Sequence, residues 1–91
     1  MSNKVEEIYS KLARANHGDA KWVQEMALYV LRSEDPTVRQ MNMRRLRTRL
    51  SWSVKRKHIT MKEAHVYYKA VTGVRWYEKK FVKRTEEYWH D

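Results

Sequence analysis

The sequence predicts an all-α fold, a compact bundle of four or five short helices, on three observations. Glycine and proline interrupt the chain only at Gly18, Pro36 and Gly73. No β-branched residues alternate with polar ones, whereas apolar residues recur at the three- and four-residue spacing of a helix face. The 91 residues, 42% hydrophobic with four Trp, six Tyr and one Phe, are too rich in aromatics for a disordered basic tail and fit one small domain. A chain this short buries only about 60 to 65% of its unfolded surface, so the core is thin.

Taken in order, Ser2 is a candidate N-cap for a first helix carrying Val5, Ile8, Tyr9 and Leu12, which fades around Asn16-His17-Gly18. Asp19 is then expected to cap a second helix. Its apolar residues Trp22, Val23, Met26, Ala27, Tyr29, Val30 and Leu31 cover half the circumference, which makes it the central core helix, ending near Ser33. Asp35-Pro36 starts a third helix, the Asp accepting from early backbone N–H groups and the Pro preset for the first turn. Met43, Leu46, Leu50 and Val54 of that helix fall within about 80° at about 100° per residue, a narrow seam. Val38, Met41 and Trp52 lie out of phase, which calls for a bend or a second contact. Thr60 and Glu63 form a capping box, with Ile59 and Ala64 placed as its hydrophobic staple, so a fourth helix starts at Met61. It runs to Thr72, and Gly73 is its left-handed stop. A fifth helix is expected from Val74 or Arg75 to Tyr88 with Val74, Tyr77, Phe81 and Tyr88 buried; Trp89 is assigned to C-terminal packing.

Charge is segregated along this chain. Residues 39 to 84 hold fifteen Lys/Arg against Glu63 and Glu78, while residues 1 to 38 hold five bases and six acids and residues 85 to 91 only Glu86, Glu87 and Asp91. The whole excess of +9 thus lies in one block. The expected organisation is an apolar, mildly acidic base over 1–35, a basic platform over 36–84 and an acidic tail over 85–91. A positive field confined to one block attracts polyanions, because each neutralised phosphate releases counterions.

Other chemistries find little support. Without Cys there is no disulfide framework, thiolate zinc site or cysteine nucleophile, and the composition suits a reducing cytoplasm. The polar start Met1-Ser2-Asn3-Lys4 lacks a secretory h-region, and no apolar run approaches the roughly 18 residues of a membrane span. His17, His58, His65 and His90 are scattered, without a third ligand at metal spacing. Glu63 is engaged as a cap, and Glu78 stands among Arg75, Lys79 and Lys80, whose charge lowers its pKa and opposes a general-acid role. No catalytic residue, metal or cofactor is assigned, and the protein is expected not to be an enzyme.

Binding residues are easier to name. Arg39, Arg44, Arg45, Arg47 and Arg49 make the third helix arginine-rich, and guanidinium forks suit phosphates and guanine edges. Trp52, Lys55, Arg56 and Lys57 extend that block. On the fifth helix, Trp76 is placed opposite the apolar stripe beside Lys79, Lys80 and Lys83, with Arg75 and Arg84 nearby; exposed, it is a stacking surface among phosphate-neutralising charges, and the alternative is that it packs on another helix or a second protomer. Trp22 is assigned to the core.

The segment of helix 4, Thr72-Gly73-Val74 and helix 5 resembles a helix-turn-helix over about 25 residues, with a basic second helix that such a motif lays in a groove. The resemblance is partial. Lys69 stands where a small residue is usual and Lys79 where an apolar one is, which favours another helical packing that shares the turn. No family is recognisable over the whole length.

These features converge on a small non-enzymatic nucleic-acid-binding protein, DNA in preference to RNA, with a basic helical face on the phosphate backbone. If about six phosphates of a duplex are neutralised, the log-log salt slope is near −5. The alternative is an adaptor or inhibitor, of a type resembling small phage-encoded accessory or anti-host proteins, that docks the same face on an acidic protein. The out-of-phase apolar residues also fit a homodimer.

Overall fold

The computed structural model describes residues 4–76, which form four helices and no strand: α1 (Lys4–Ala15), α2 (His17–Arg32), α3 (Pro36–Lys55) and α4 (Met61–Thr72). The all-α bundle expected from the sequence is present. Val74, Arg75 and Trp76 are not helical, so no fifth helix begins at Val74 or Arg75. The rest of that expected helix, the Ser2 cap, Trp89 and the acidic tail lie outside the described residues.

Asn16 alone separates the first two helices. Its N–H donates to Leu12 O at 2.7 Å, closing α1, and its carboxamide oxygen accepts from Asp19 N at 3.0 Å, opening α2. Asp19 is therefore not the cap expected from the sequence. An extended Asn16 (φ −158°, ψ 105°) already satisfies the third N–H of α2 and starts the helix two residues before Asp19. The Asp19 carboxylate sits in the first turn, where the helix dipole favours it and other elements can reach it.

Asp35 caps α3 as expected, accepting from Thr37 N at 2.8 Å and Val38 N at 3.4 Å with Pro36 in the first turn. The helix closes through His58 N to Ser53 O at 2.9 Å, which places Lys57 in the left-handed region at φ 64°. Both halves of the capping box are formed at α4: Glu63 N donates to Thr60 Oγ1 at 3.1 Å and Thr60 N to Glu63 Oε1 at 2.8 Å. Ile59 and Ala64, the expected staple pair, are both buried. Gly73 ends α4 at φ 73°, a conformation that strains any side-chain-bearing residue.

Packing puts α2 at the centre, in contact with α1, α3 and α4 and most extensively with α3. Its buried face is narrower than the sequence suggested: Ala20, Val23, Met26, Ala27 and Val30 are buried, while Trp22, Leu28, Tyr29 and Leu31 are 40–61% exposed. Trp22 is thus not a core residue; the buried arc centres near Val23 and Val30, and Trp22 falls on its rim. Ile8 and Leu12 come from α1, Met43, Leu46 and Leu50 from α3, and Ala64, Tyr67 and Tyr68 from α4. Burial, then the nearby Tyr9, pushes the Tyr67 phenol up to about 12, so it remains neutral in the core.

The α2 and α3 helices run antiparallel across the short Ser33–Asp35 connection. Asn42 Nδ2 donates to Ser33 Oγ at 2.9 Å, Arg49 lies over Trp22, and Arg56 reaches Asp19, so positions ascend on α3 as they descend on α2. The α3 seam of Met43, Leu46 and Leu50 is buried, with Val54 half-buried at its end. Val38 and Met41 remain exposed and Trp52 half-buried, so the out-of-phase residues lie on the outer face of α3.

Candidate nucleic-acid interface on the outer face of α3

Helix α3 contains no acidic residue in its twenty positions. Its arginines nevertheless have two different fates, decided by where each falls relative to the buried seam.

On the inner side, Arg39 Nη2 donates to the backbone oxygen of Thr72 at 3.2 Å, satisfying a carbonyl at the C-terminus of α4 where a cation is favoured. Arg47 donates through Nη1 to the Tyr68 hydroxyl, and its guanidinium carbon lies 5.4 Å from the Tyr68 ring centroid. Both residues are half-buried and join α3 to α4.

On the outer side stand Arg44, Arg45 and Lys55, all exposed, with Thr48 between them donating to Arg44 O at 3.0 Å. At about 100° per residue these four positions span about 100°, opposite Leu46 and Leu50. Lys57 is exposed just beyond the helix.

Two further arginines lie against aromatic rings along the rim. The Arg49 guanidinium carbon is 4.7 Å from the Trp22 ring centroid, and that of Arg56 is 4.9 Å from the Trp52 centroid. Arg56 also donates through Nη1 to Asp19 Oδ1 and Oδ2 at 3.1 and 3.2 Å. The same carboxylate lies 3.2 Å from His58 Nδ1, so Asp19 gathers two basic groups from the end of α3 onto the start of α2.

Among the described residues the bases of the expected platform are divided by position. Arg39 and Arg47 join helices, Arg49 and Arg56 line the rim against rings, and Arg44, Arg45, Lys55 and Lys57 form the exposed cluster. Arg75 is exposed beyond the α4 stop, on the side of the bundle where Arg39 meets Thr72. Lys79, Lys80, Lys83 and Arg84 lie outside the described residues.

Trp76 requires the clearest correction. It is 3% exposed, stacked on His65 with centroids 4.7 Å apart and planes at 21°, and tilted on Tyr68 at 5.5 Å. A ring so covered offers no stacking surface. The turn after Gly73 folds the chain back onto α4, with Val74 N donating to Thr72 Oγ1 at 3.1 Å, instead of launching a second helix from the turn. What resembled a helix-turn-helix has, up to Trp76, its first helix and the turn.

Two aromatics absent from the sequence-based site are exposed instead: Trp22, 47%, and Tyr29, 50%. Their seven-residue spacing puts them on one edge of α2, the edge beside Arg49, and that spacing was the available signal.

Among the described residues no group of three His, Asp or Glu could hold a metal ion, and no helix is long and apolar enough to cross a membrane. Compared with known protein families, curated proteins and solved structures, the chain matches none.

Proposed function

We propose that this is a small non-enzymatic nucleic-acid-binding protein that holds the phosphate backbone on the outer face of α3. The observation that carries the reading is the exposed cluster of Arg44, Arg45, Lys55 and Lys57 on and just beyond a helix that has no acid along it. Four exposed cations on and next to a helix whose sequence has no acid favour a polyanion over an ordinary solvated surface, where the two signs alternate. The guanidiniums on the rim sit beside this cluster and extend the positive edge towards α2.

Binding of a labelled duplex and a labelled single strand, followed by fluorescence anisotropy at several salt concentrations, tests the reading. Four neutralised phosphates give a log-log slope of about −3.6 on a duplex and about −2.8 on a single strand. The duplex value is shallower than −5 because it counts four cations in place of about six phosphate contacts. Absence of binding to either form at low salt would overturn the proposal and turn attention to an acidic protein as the partner of this face.

A further inference from the structure

We infer that the ligand of this face is an unpaired nucleic-acid strand whose bases stack along the seam between α2 and α3, on Trp22, Tyr29 and Trp52 and on the guanidiniums beside them. The inference rests on the polyanion reading above and adds what form the polyanion takes.

The rings and arginines form an ordered series. Trp22 and Tyr29 are two turns apart on one edge of α2, about 10.5 Å along its axis. Arg45, Arg49 and Trp52 follow one another at four and three residues on the facing edge of α3, spanning the same length. Because the helices are antiparallel and Arg49 lies over Trp22, these edges adjoin along one side of the hairpin. The result is a ribbon of indole, phenol and guanidinium planes on one surface, with Glu25 between Trp22 and Tyr29 on the α2 edge. Arg44 and Lys55 stand farther round α3 as its phosphate-facing border.

Three features favour a single strand over a duplex or a protein. A Trp 47% exposed and a Tyr 50% exposed leave large apolar surface in water within one patch, which marks a surface that is covered in use. Indole and guanidinium planes bind the faces of bases, and in a duplex those faces are already stacked; only unpaired bases present them. Charge complementarity then selects a strand carrying phosphates: the seam is bordered by Arg44, Arg45 and Lys55, and α3 contributes no acid. An acidic protein surface would satisfy the cations without needing the rings.

The experiment compares three probes of equal phosphate number: oligothymidylate, an abasic strand and a duplex. The wild-type protein is expected to bind oligothymidylate at least tenfold more tightly than the abasic strand. Replacing Trp22→Ala and Trp52→Ala, with helical circular dichroism retained, removes about tenfold per ring for oligothymidylate and leaves abasic binding unchanged, since base–aromatic stacking contributes about 1–3 kcal/mol per base. Equal affinity of the wild type for all three probes would overturn the stacking inference while leaving the polyanion reading intact, and it requires no variant that might fail to fold. No binding to any probe would defeat both. If the double variant instead converts a dimer to a monomer in sedimentation and leaves oligothymidylate affinity unchanged, the ribbon is the contact with a second copy and the inference fails.

Discussion

The two sides of α3 carry the same side chain in different employment. Towards α4, Arg39 takes up a helix-terminal carbonyl and Arg47 a tyrosine hydroxyl, and both are half-buried. Away from it, Arg44 and Arg45 project into solvent from the turn between those two residues. Arginine richness is therefore not one signal. A guanidinium over the rim of a core adds packing and hydrogen bonds to the fold, whereas one farther round the helix leaves its charge in solvent.

The largest effect that would test this division is on stability. Arg47→Ala is expected to destabilise by about 2 kcal/mol, because it leaves Tyr68 without its charged partner, and Arg39→Ala by about 1 kcal/mol. Arg44→Gln and Arg45→Gln should each stay within about 0.5 kcal/mol of the wild type. Urea unfolding of the four variants decides it; equal losses on both sides would break the comparison.

Lys57 sharpens it. At φ 64° a lysine occupies a conformation that glycine adopts without steric cost. Lys57→Gly should raise stability by about 1 kcal/mol and at the same time weaken nucleic-acid binding, since it removes one exposed cation. Thermal unfolding and anisotropy on the same variant read the two effects. A variant that gains stability with affinity unchanged would remove Lys57 from the interface.

The smallest effect concerns a cation engaged elsewhere in the bundle. Lys11 lies 2.7 Å from Glu63 Oε1, and its hydrogen bond, followed by that from the Thr60 backbone N–H, holds the Glu63 carboxyl below its ordinary 4.5. A depressed carboxylate stabilises the fold above its unfolded pKa and loses that contribution as pH falls through the folded value. Stability measured downward from pH 5 should fall, and Lys11→Met should flatten that limb. A limb unchanged in the variant would show that Lys11 does not set the Glu63 titration.

Much of the fold was legible because its signals are local. The Asp35-Pro36 start, the Thr60/Glu63 box and the Gly73 stop each lie within four residues and behave as their backbone chemistry dictates. Asn16 was missed in favour of Asp19 because both are good caps three residues apart, and the choice depends on where α1 releases the chain. The site was less legible. Arg47 meets Tyr68 across 21 residues and Arg39 meets Thr72 across 33, so nothing near either arginine in sequence distinguishes it from Arg44 or Arg45. Trp22 and Trp76 exchanged expected roles for the same reason. A ring is buried by what packs opposite it: His65 with Tyr68 receives Trp76, whereas Trp22, with Arg49 over it, stays 47% exposed.

The most direct test of the account is the salt dependence of single-strand affinity for the outer double variant Arg44→Gln/Arg45→Gln beside the wild type. Losing two of four phosphate contacts should reduce the slope from about −2.8 to about −1.4 with the unfolding midpoint nearly unchanged. A slope that stays at the wild-type value would contradict the assignment of these arginines to the phosphate backbone.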